Sequence, residues 1–200
     1  MAQLTLIAVV VVGLVVVLLA WAIAGYNAFV RLRNRFQNAF AQIDVQLKRR
    51  FELIPNLVEA AKAYLTHERE TLTAVISARA AAVSASERLA ARPGGAEEMK
   101  ALAAEDATLT GALKRLLAVV ESYPNLKADK TIASVSEELT ATENKVSFAR
   151  QAYNDAVLTY NTKIQQFPDN VLAGVFRFDA APPFATESAA ERQAVRVSFG

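Results

Sequence analysis

The feature that most constrains this chain is an uninterrupted apolar run near its N-terminus. Leu4–Gly25 reads LTLIAVVVVGLVVVLLAWAIAG, 22 residues without a charge and with Thr5 as the single polar side chain. As an α-helix at about 1.5 Å per residue, the run is about 33 Å long, which is enough to cross the hydrocarbon core of a bilayer. The run therefore predicts a transmembrane anchor over residues 1–25.

A cleaved signal peptide is the alternative interpretation, because Ala22-Ile23-Ala24 resembles a small-x-small cleavage site. Two observations favour an uncleaved anchor. No basic residue precedes the run, and the run is longer than the roughly 7 to 15 apolar residues of a signal-peptide core. Trp21, Tyr26 and Phe29 then lie where aromatic residues line a membrane–water interface.

The distribution of positive charge predicts the orientation of the anchor. Cytoplasmic flanks of membrane spans are enriched in Lys and Arg. Residues 26–50 carry six basic residues against Asp44, which gives a local net charge of 6 − 1 = +5. We therefore expect the N-terminus outside and the body in the cytoplasm. The six residues are Arg31, Arg33, Arg35, Lys48, Arg49 and Arg50.

The rest of the chain offers little chemistry. Its net charge is +2 minus +5, or −3, and this mildly acidic balance argues against nucleic acid as a partner. The chain has no cysteine and one histidine, His67, which excludes thiolate catalysis, disulfides and the usual zinc sites. It has no glycine-rich phosphate loop, nucleophile elbow or zincin motif. The sequence therefore predicts no enzyme, no catalytic or metal-binding residues, no cofactor and no small-molecule substrate.

Past the anchor, apolar residues recur at helical spacing, which predicts a helical bundle over residues 26–167. No Pro or Gly interrupts residues 26–54, so the membrane helix is expected to continue as a stalk. We expect breaks near Pro55, at 92–95 and at 123–130, and Pro55 either kinks the helix or starts a new one. The stalk carries one apolar stripe: Phe29, Phe36, Phe40, Ile43, Leu47, Phe51 and Ile54.

The last long helix is predicted over about residues 131–167. Apolar residues alternate at spacings of three and four from Ile132 to Phe167, which is typical of coiled-coil packing. Residues 168–200 are expected to be a loosely ordered segment or a short strand, since Val195, Val197 and Phe199 alternate. The predicted fold is all-α, with an N-terminal transmembrane helix that continues into an elongated antiparallel helical bundle.

Two clusters of basic residues are candidate contact sites. The membrane-proximal cluster, Arg31, Arg33 and Arg35, begins about 9 Å beyond the span, so it either contacts anionic headgroups or only fixes topology. The distal cluster, Lys48, Arg49 and Arg50, lies about 35 Å beyond the span on a straight helix. That distance exceeds the Debye length of about 8 Å. The distal cluster should therefore pair with acidic residues of the bundle or meet another subunit.

The aromatic residues of the stalk are the other candidate contact. A single helix cannot cover Phe29, Phe36 and Phe40 by itself. Either the later helices of the same chain pack over this stripe, or a neighbouring copy does. A contiguous exposed stripe of this size is unusual on a monomer, so we expect a homo-oligomer.

Several motifs of the chain are similar to those of the LemA family. They are AQIDVQLKRRFELIPNLVEAAKAYLTHERETL at Ala41–Leu72, YPNLKA at Tyr123–Ala128, and the pairs Tyr153-Asn154 and Tyr160-Asn161. Phe40 stands where the family usually has tryptophan, and Lys130-Thr131-Ile132 departs from the usual asparagine and phenylalanine. The resemblance implies a bacterial membrane protein with one N-terminal span, a short outside N-terminus, an all-helical body and no assigned enzymatic activity.

These observations lead to one expected function and two alternatives. We expect a membrane-anchored structural or interaction protein of the LemA type that self-associates at the cytoplasmic face of the bacterial inner membrane. The resemblance also implies an alternative, an adaptor or regulator of a membrane protease in protein quality control. A lipid-binding or membrane-shaping protein is the further alternative, based on the basic stalk.

Overall fold

The structure, a computed structural model, describes residues 1–65 and 67–184. All regular secondary structure in these residues is helical, which confirms the all-α fold with a long apolar N-terminal helix. The helices are α1 (Ala2–Lys62), α2 (Arg69–Ala91), α3 (Ala96–Ser122), α4 (Pro124–Lys127), α5 (Lys130–Gln165) and α6 (Asp169–Phe176).

The N-terminal part of α1 is an apolar helix with an exposed surface. Residues 2–20 are all exposed. The most apolar 18-residue window of α1 has a mean hydropathy of 3.2, and none of it is buried. Among the described residues, α1 is the single helix long and apolar enough to cross a membrane. A long helix with exposed apolar side chains is favourable in the hydrocarbon of a bilayer and unfavourable in water. This part of α1 therefore fits a membrane span.

The first helix continues through Pro55, so the break expected there is not found, and of the two alternatives for this proline the new helix is excluded. Proline has no N–H to offer the carbonyl of the residue four positions earlier, here Phe51. The Nε of Arg79, in α2, donates a hydrogen bond of 2.7 Å to that carbonyl oxygen. A side chain from a second helix therefore replaces the lost backbone bond, and α1 continues to Lys62.

The chain divides into two compact units. Of the described residues, the first unit contains 1–42 and 149–181, and the second contains 43–65, 67–148 and 182–184. In the second unit α2 and α3 form a helical hairpin, with Gly94 at a φ of 85° in the connecting turn. Its core includes Ile43, Leu47, Ile54, Leu57, Leu72, Val75, Leu89, Leu102, Leu109, Leu116, Ile132, Leu139 and Val146.

In the first unit the C-terminal half of α5 runs antiparallel to α1. Phe36 contacts Tyr160 and Phe40 contacts Tyr153, so residue numbers rise along one helix as they fall along the other. The core of this unit also includes Phe29, Ala156, Val157, Ile164, Leu172, Ala173 and Phe178.

The sequence did not predict α6, because residues 168–200 were expected to be loosely ordered or a strand. Its eight residues are too short a stretch for a helical period to stand out. Arg177 ends the helix in the left-handed conformation at a φ of 56°. The amide of Phe178 then donates to the carbonyl of Ala173 at 2.9 Å, which is a Schellman cap. The alternating residues Val195, Val197 and Phe199 lie outside the described residues.

Phe167 corrects the predicted seam of the last helix. The spacing placed Phe167 among the inward residues, yet it is 83% exposed. The reason is that α5 ends at Gln165, so the helical period no longer determines where the next side chains point. Seam residues within α5, from Ile132 to Ile164, are mostly buried.

Candidate functional site

Each residue of the distal cluster contacts a carboxylate of the second unit. Lys48 Nζ lies 2.7 Å from Asp44 Oδ2, and this hydrogen bond raises the pKa of the Lys48 ammonium. Arg49 pairs with Glu138. These three basic residues are therefore engaged within the chain, and whether any of them also meets another subunit stays a prediction.

Arg50 is the most enclosed charge of the distal cluster. Its Nη1 donates to Asp106 Oδ1 at 3.0 Å, and both side chains are 1% exposed. Its Nη2 donates to Thr110 Oγ1, also at 3.0 Å. Burial lowers the pKa of the Arg50 guanidinium from its usual high value, and the Glu143 carboxylate acts in the opposite direction. The guanidinium still stays charged at any ordinary pH.

The membrane-proximal cluster has different surroundings. Arg31, Arg33 and Arg35 are exposed. Within residues 1–65 and 67–184, none of the three forms an ion pair with a carboxylate. The Arg33 guanidinium lies 5.2 Å above the ring of Phe178, a cation–π contact. This cluster therefore keeps its positive charge available at the surface of the first unit.

The aromatic stripe of the stalk is covered by aromatic residues of the same chain. The ring of Phe29 is fully buried and lies 4.9 Å from that of Phe178. The half-buried ring of Phe36 lies 5.1 Å from Tyr160. The half-buried ring of Phe40 lies 5.8 Å from Tyr153. Of the two interpretations left open by the sequence, packing within the chain therefore applies to this stripe in the first unit.

The two tyrosines that cover the stripe are themselves enclosed. Burial raises the pKa of the Tyr153 phenol to about 12, and burial also raises that of Tyr160. Tyr160 Oη donates a hydrogen bond of 3.0 Å to the carbonyl of Asp179. Beside it, the side-chain amide of Asn161 both donates to and accepts from the backbone of Ala181, at 2.9 Å in each case. These contacts hold residues 179–181 against α5.

Sequence reasoning missed Asp106 and Arg79. The signal for Asp106 was present, because this carboxylate lies between Leu102 and Leu109 on the inward stripe of α3, where only a paired charge is tolerated. Arg79 carried a weaker signal. A proline inside a predicted helix calls for a replacement donor, but the sequence does not say which side chain supplies it.

Among residues 1–65 and 67–184 we identify no cluster of side chains arranged for catalysis. Within the part of the chain that the structure describes, no group of three or more His, Cys, Asp or Glu side chains could hold a metal ion. The buried charged residues Arg50, Asp106 and Asp169 form contacts between helices, and the buried Thr142 hydroxyl donates to the carbonyl of Glu138 within α5. Fold and site together define a class of protein, a helical body on an apolar N-terminal helix that fits a membrane anchor.

Comparison with known proteins assigns the family. The LemA family model matches residues 39–199, and the chain belongs to the LemA family. Magnetosome protein MamQ 2 of Paramagnetospirillum magneticum is 30% identical over 193 residues, which cover 88% of this chain and 71% of MamQ 2. Magnetosome protein MamQ of Magnetospirillum gryphiswaldense is 28% identical over 83% of this chain and 66% of its own length. Protein LemA of Metamycoplasma hominis is 27% identical over 74% of this chain and 63% of its own length.

Proposed function

We propose that this chain is a membrane-anchored interaction protein of the LemA type that holds its helical body at a membrane surface and has no catalytic activity of its own. The supporting observation is the change along α1. The helix is apolar and bare up to Leu19, and from Phe29 onward its apolar side chains are largely covered by the same chain. The names of the relatives refer to the magnetosome or to the family, and neither refers to a reaction.

The proposal includes the orientation, with the N-terminus outside and the body in the cytoplasm at the inner membrane of a bacterium. Support comes from the basic residues that follow the span. The chain has no cysteine, so single cysteines can report on orientation. A membrane-impermeant maleimide applied to intact spheroplasts should label Gln3→Cys and should label Leu158→Cys only after lysis. Labelling of Leu158→Cys in intact spheroplasts would reverse the orientation, and a mature protein that lacks residue 3 would favour the signal peptide.

Self-association stays part of the proposal, but we place the contact between copies in the membrane span and not on the aromatic stripe. The expectation depended on an uncovered aromatic stripe, and this condition is not met in the first unit. We therefore assign self-association to the bare span, where Ala20 and Ala24 offer a small-residue contact between helices.

Light scattering of the full chain in mild detergent tests the association. We expect an oligomer whose mass is unchanged in the double variant Phe36→Ser and Phe40→Ser. That variant should instead lose helix content and melting cooperativity, because its rings pack within the chain. A matched control is Leu158→Ser, which removes an apolar side chain that is 66% exposed and should change neither quantity. A monomeric mass across a wide concentration range would remove self-association from the proposal.

A further inference from the structure

Helix α6 packs onto α1 at the end of the apolar run. A Cβ atom on Gly25 would lie 2.6 Å from Leu172 Cδ1 and 3.7 Å from Asp169 Oδ1, so the two helices approach closely because residue 25 has no side chain. The next residue, Tyr26, places its ring 5.1 Å from that of Phe176. Helix α6 therefore lies beside the last residue of the uncharged stretch.

Helix α6 exposes apolar side chains. Val171 and Val175 are four residues apart on α6 and are 55% and 69% exposed, and Phe167, which precedes the helix, is 83% exposed. Leu172 and Ala173 of the same helix are buried within the first unit, so α6 carries apolar side chains on its buried side as well as on its exposed side. An eight-residue helix that is apolar on both faces is not explained by packing within the chain, because folding uses only one of the two faces.

The single charged residue of α6 is neutralised by an ion pair, so it does not prevent the helix from entering an apolar environment. Asp169 is largely buried and forms an ion pair with Lys163 of α5. The first unit also exposes Arg31, Arg33 and Arg177, which complement anionic headgroups. Tyr26 and Trp21 lie within about one helical turn of Gly25, as interfacial aromatic residues do.

We propose that Phe167, Val171 and Val175 insert into the interfacial region of the bilayer that α1 crosses. This face is called the α6 lipid face below. A span of about 20 residues that ends near Gly25 fills a hydrocarbon core of about 30 Å. That length places α6 at the boundary between acyl chains and headgroups. Interfacial helices bury their apolar faces about 5–10 Å deep there.

Continuity favours lipid over a second copy of the chain as the occupant. The bare surface of the span leads to α6 through the contact at Gly25, so the lipid that surrounds α1 also reaches the α6 lipid face. The inference rests on the proposed membrane span and does not depend on self-association.

Single-cysteine spin labels in the full chain test the inference. Val171→Cys and Val175→Cys would be labelled and reconstituted in vesicles of phosphatidylcholine and phosphatidylglycerol. Collision with oxygen, which partitions into lipid, would be compared with collision with a water-soluble nickel chelate. We expect the ratio of oxygen to nickel accessibility to be several-fold higher at both positions than at a label in water.

Two further labels are the controls. Leu158→Cys is the label in water: the side chain is apolar, 66% exposed and in the same unit. It lies near Tyr160, whose ring contacts Phe36, about 16 Å along α1 from Gly25. Val12→Cys is the label in lipid, since it is at the middle of the span. Equal helix content by circular dichroism in all four variants would show that they fold alike.

The outcomes separate this inference from the proposed function. Labels at Val171 and Val175 that behave like Leu158 while Val12 lies in lipid would overturn the inference and leave the span intact. A nickel-accessible label at Val12 would overturn both. Labels at α6 that exclude both reagents, and that become accessible to nickel when the protein is diluted with lipid, would show a second copy on this face and would also overturn the inference.

Discussion

The two basic clusters of α1 each contain three positively charged residues, but their surroundings are opposite. The membrane-proximal cluster faces outward in the first unit, where aromatic rings supply the packing. The distal cluster is paired with carboxylates in the second unit, and one of its residues, Arg50, is inside the core. A count of positive charges along the sequence therefore does not reveal their role, because the role depends on what the neighbouring helices bring to each charge.

The largest expected effect comes from Arg50. Replacing it by methionine leaves the Asp106 carboxylate buried without its guanidinium, which should cost about 3–5 kcal/mol of unfolding free energy. Urea unfolding of the detergent-solubilised chain, followed by circular dichroism, measures this cost. Arg49→Met is the matched control, since its ion pair with Glu138 is largely exposed and should contribute about 1 kcal/mol or less.

A second variant shows whether the pairing itself is responsible. Adding Asp106→Leu to Arg50→Met also removes the buried carboxylate and should recover part of the lost stability. Equal costs for Arg50→Met and Arg49→Met would contradict the contrast between an enclosed and an exposed pair.

The second prediction concerns the proline in α1. Arg79→Met leaves the carbonyl of Phe51 without its donor and should cost about 1–3 kcal/mol. Pro55→Ala restores a backbone N–H to the same carbonyl, so Arg79→Met should cost clearly less in the Pro55→Ala background. A double-mutant cycle of the four proteins by urea unfolding measures this coupling. Strictly additive costs would show that Arg79 does not replace the proline's missing bond.

The long helices, Pro55 and α6 show where prediction from sequence succeeds and where it fails. Helical spacing predicted the long helices, because their apolar residues face one core over many turns, and Ala96–Ser122 is an example. The proline rule failed at Pro55, where a residue from another helix supplies the missing hydrogen bond, and helical spacing failed at α6, where the segment is too short to show a period. The aromatic stripe was predicted as a contact, but the sequence left open whether its own chain or a second copy covers it.

The third prediction uses the aromatic packing of the first unit. Burial raises the pKa of Tyr153 to about 12, whereas the phenol titrates near pH 10 in the unfolded chain. The folded state therefore binds the phenolic proton more tightly, and the stability that this provides is complete below pH 10 and is lost as the pH rises toward 12. The full loss, reached once the pH exceeds 12, should be at most about 3 kcal/mol.

Urea unfolding at several alkaline pH values checks this dependence. Tyr153→Phe should be less sensitive to pH over that interval than the wild type, because it has no phenol to ionise. Tyr64→Phe serves as the control, since its side chain is 44% exposed. The same alkaline loss in wild type and Tyr153→Phe would assign the effect to other groups, such as the lysines.

The smallest expected effect distinguishes the two roles left open for the membrane-proximal cluster. If Arg31, Arg33 and Arg35 contact anionic headgroups, each contributes about 1 kcal/mol or less at low salt. The melting temperature should then be higher in nanodiscs with phosphatidylglycerol than in nanodiscs with phosphatidylcholine alone. Replacing the three arginines by glutamine should abolish this difference, and added salt should reduce it in the wild type because the charges are exposed. The control is Lys48→Gln with Arg49→Gln, two distal residues that are also exposed and whose loss should leave the lipid dependence unchanged. A lipid dependence that survives the triple glutamine variant would assign the arginines to topology alone, and the contrast between the two clusters would then reflect orientation and not lipid contact.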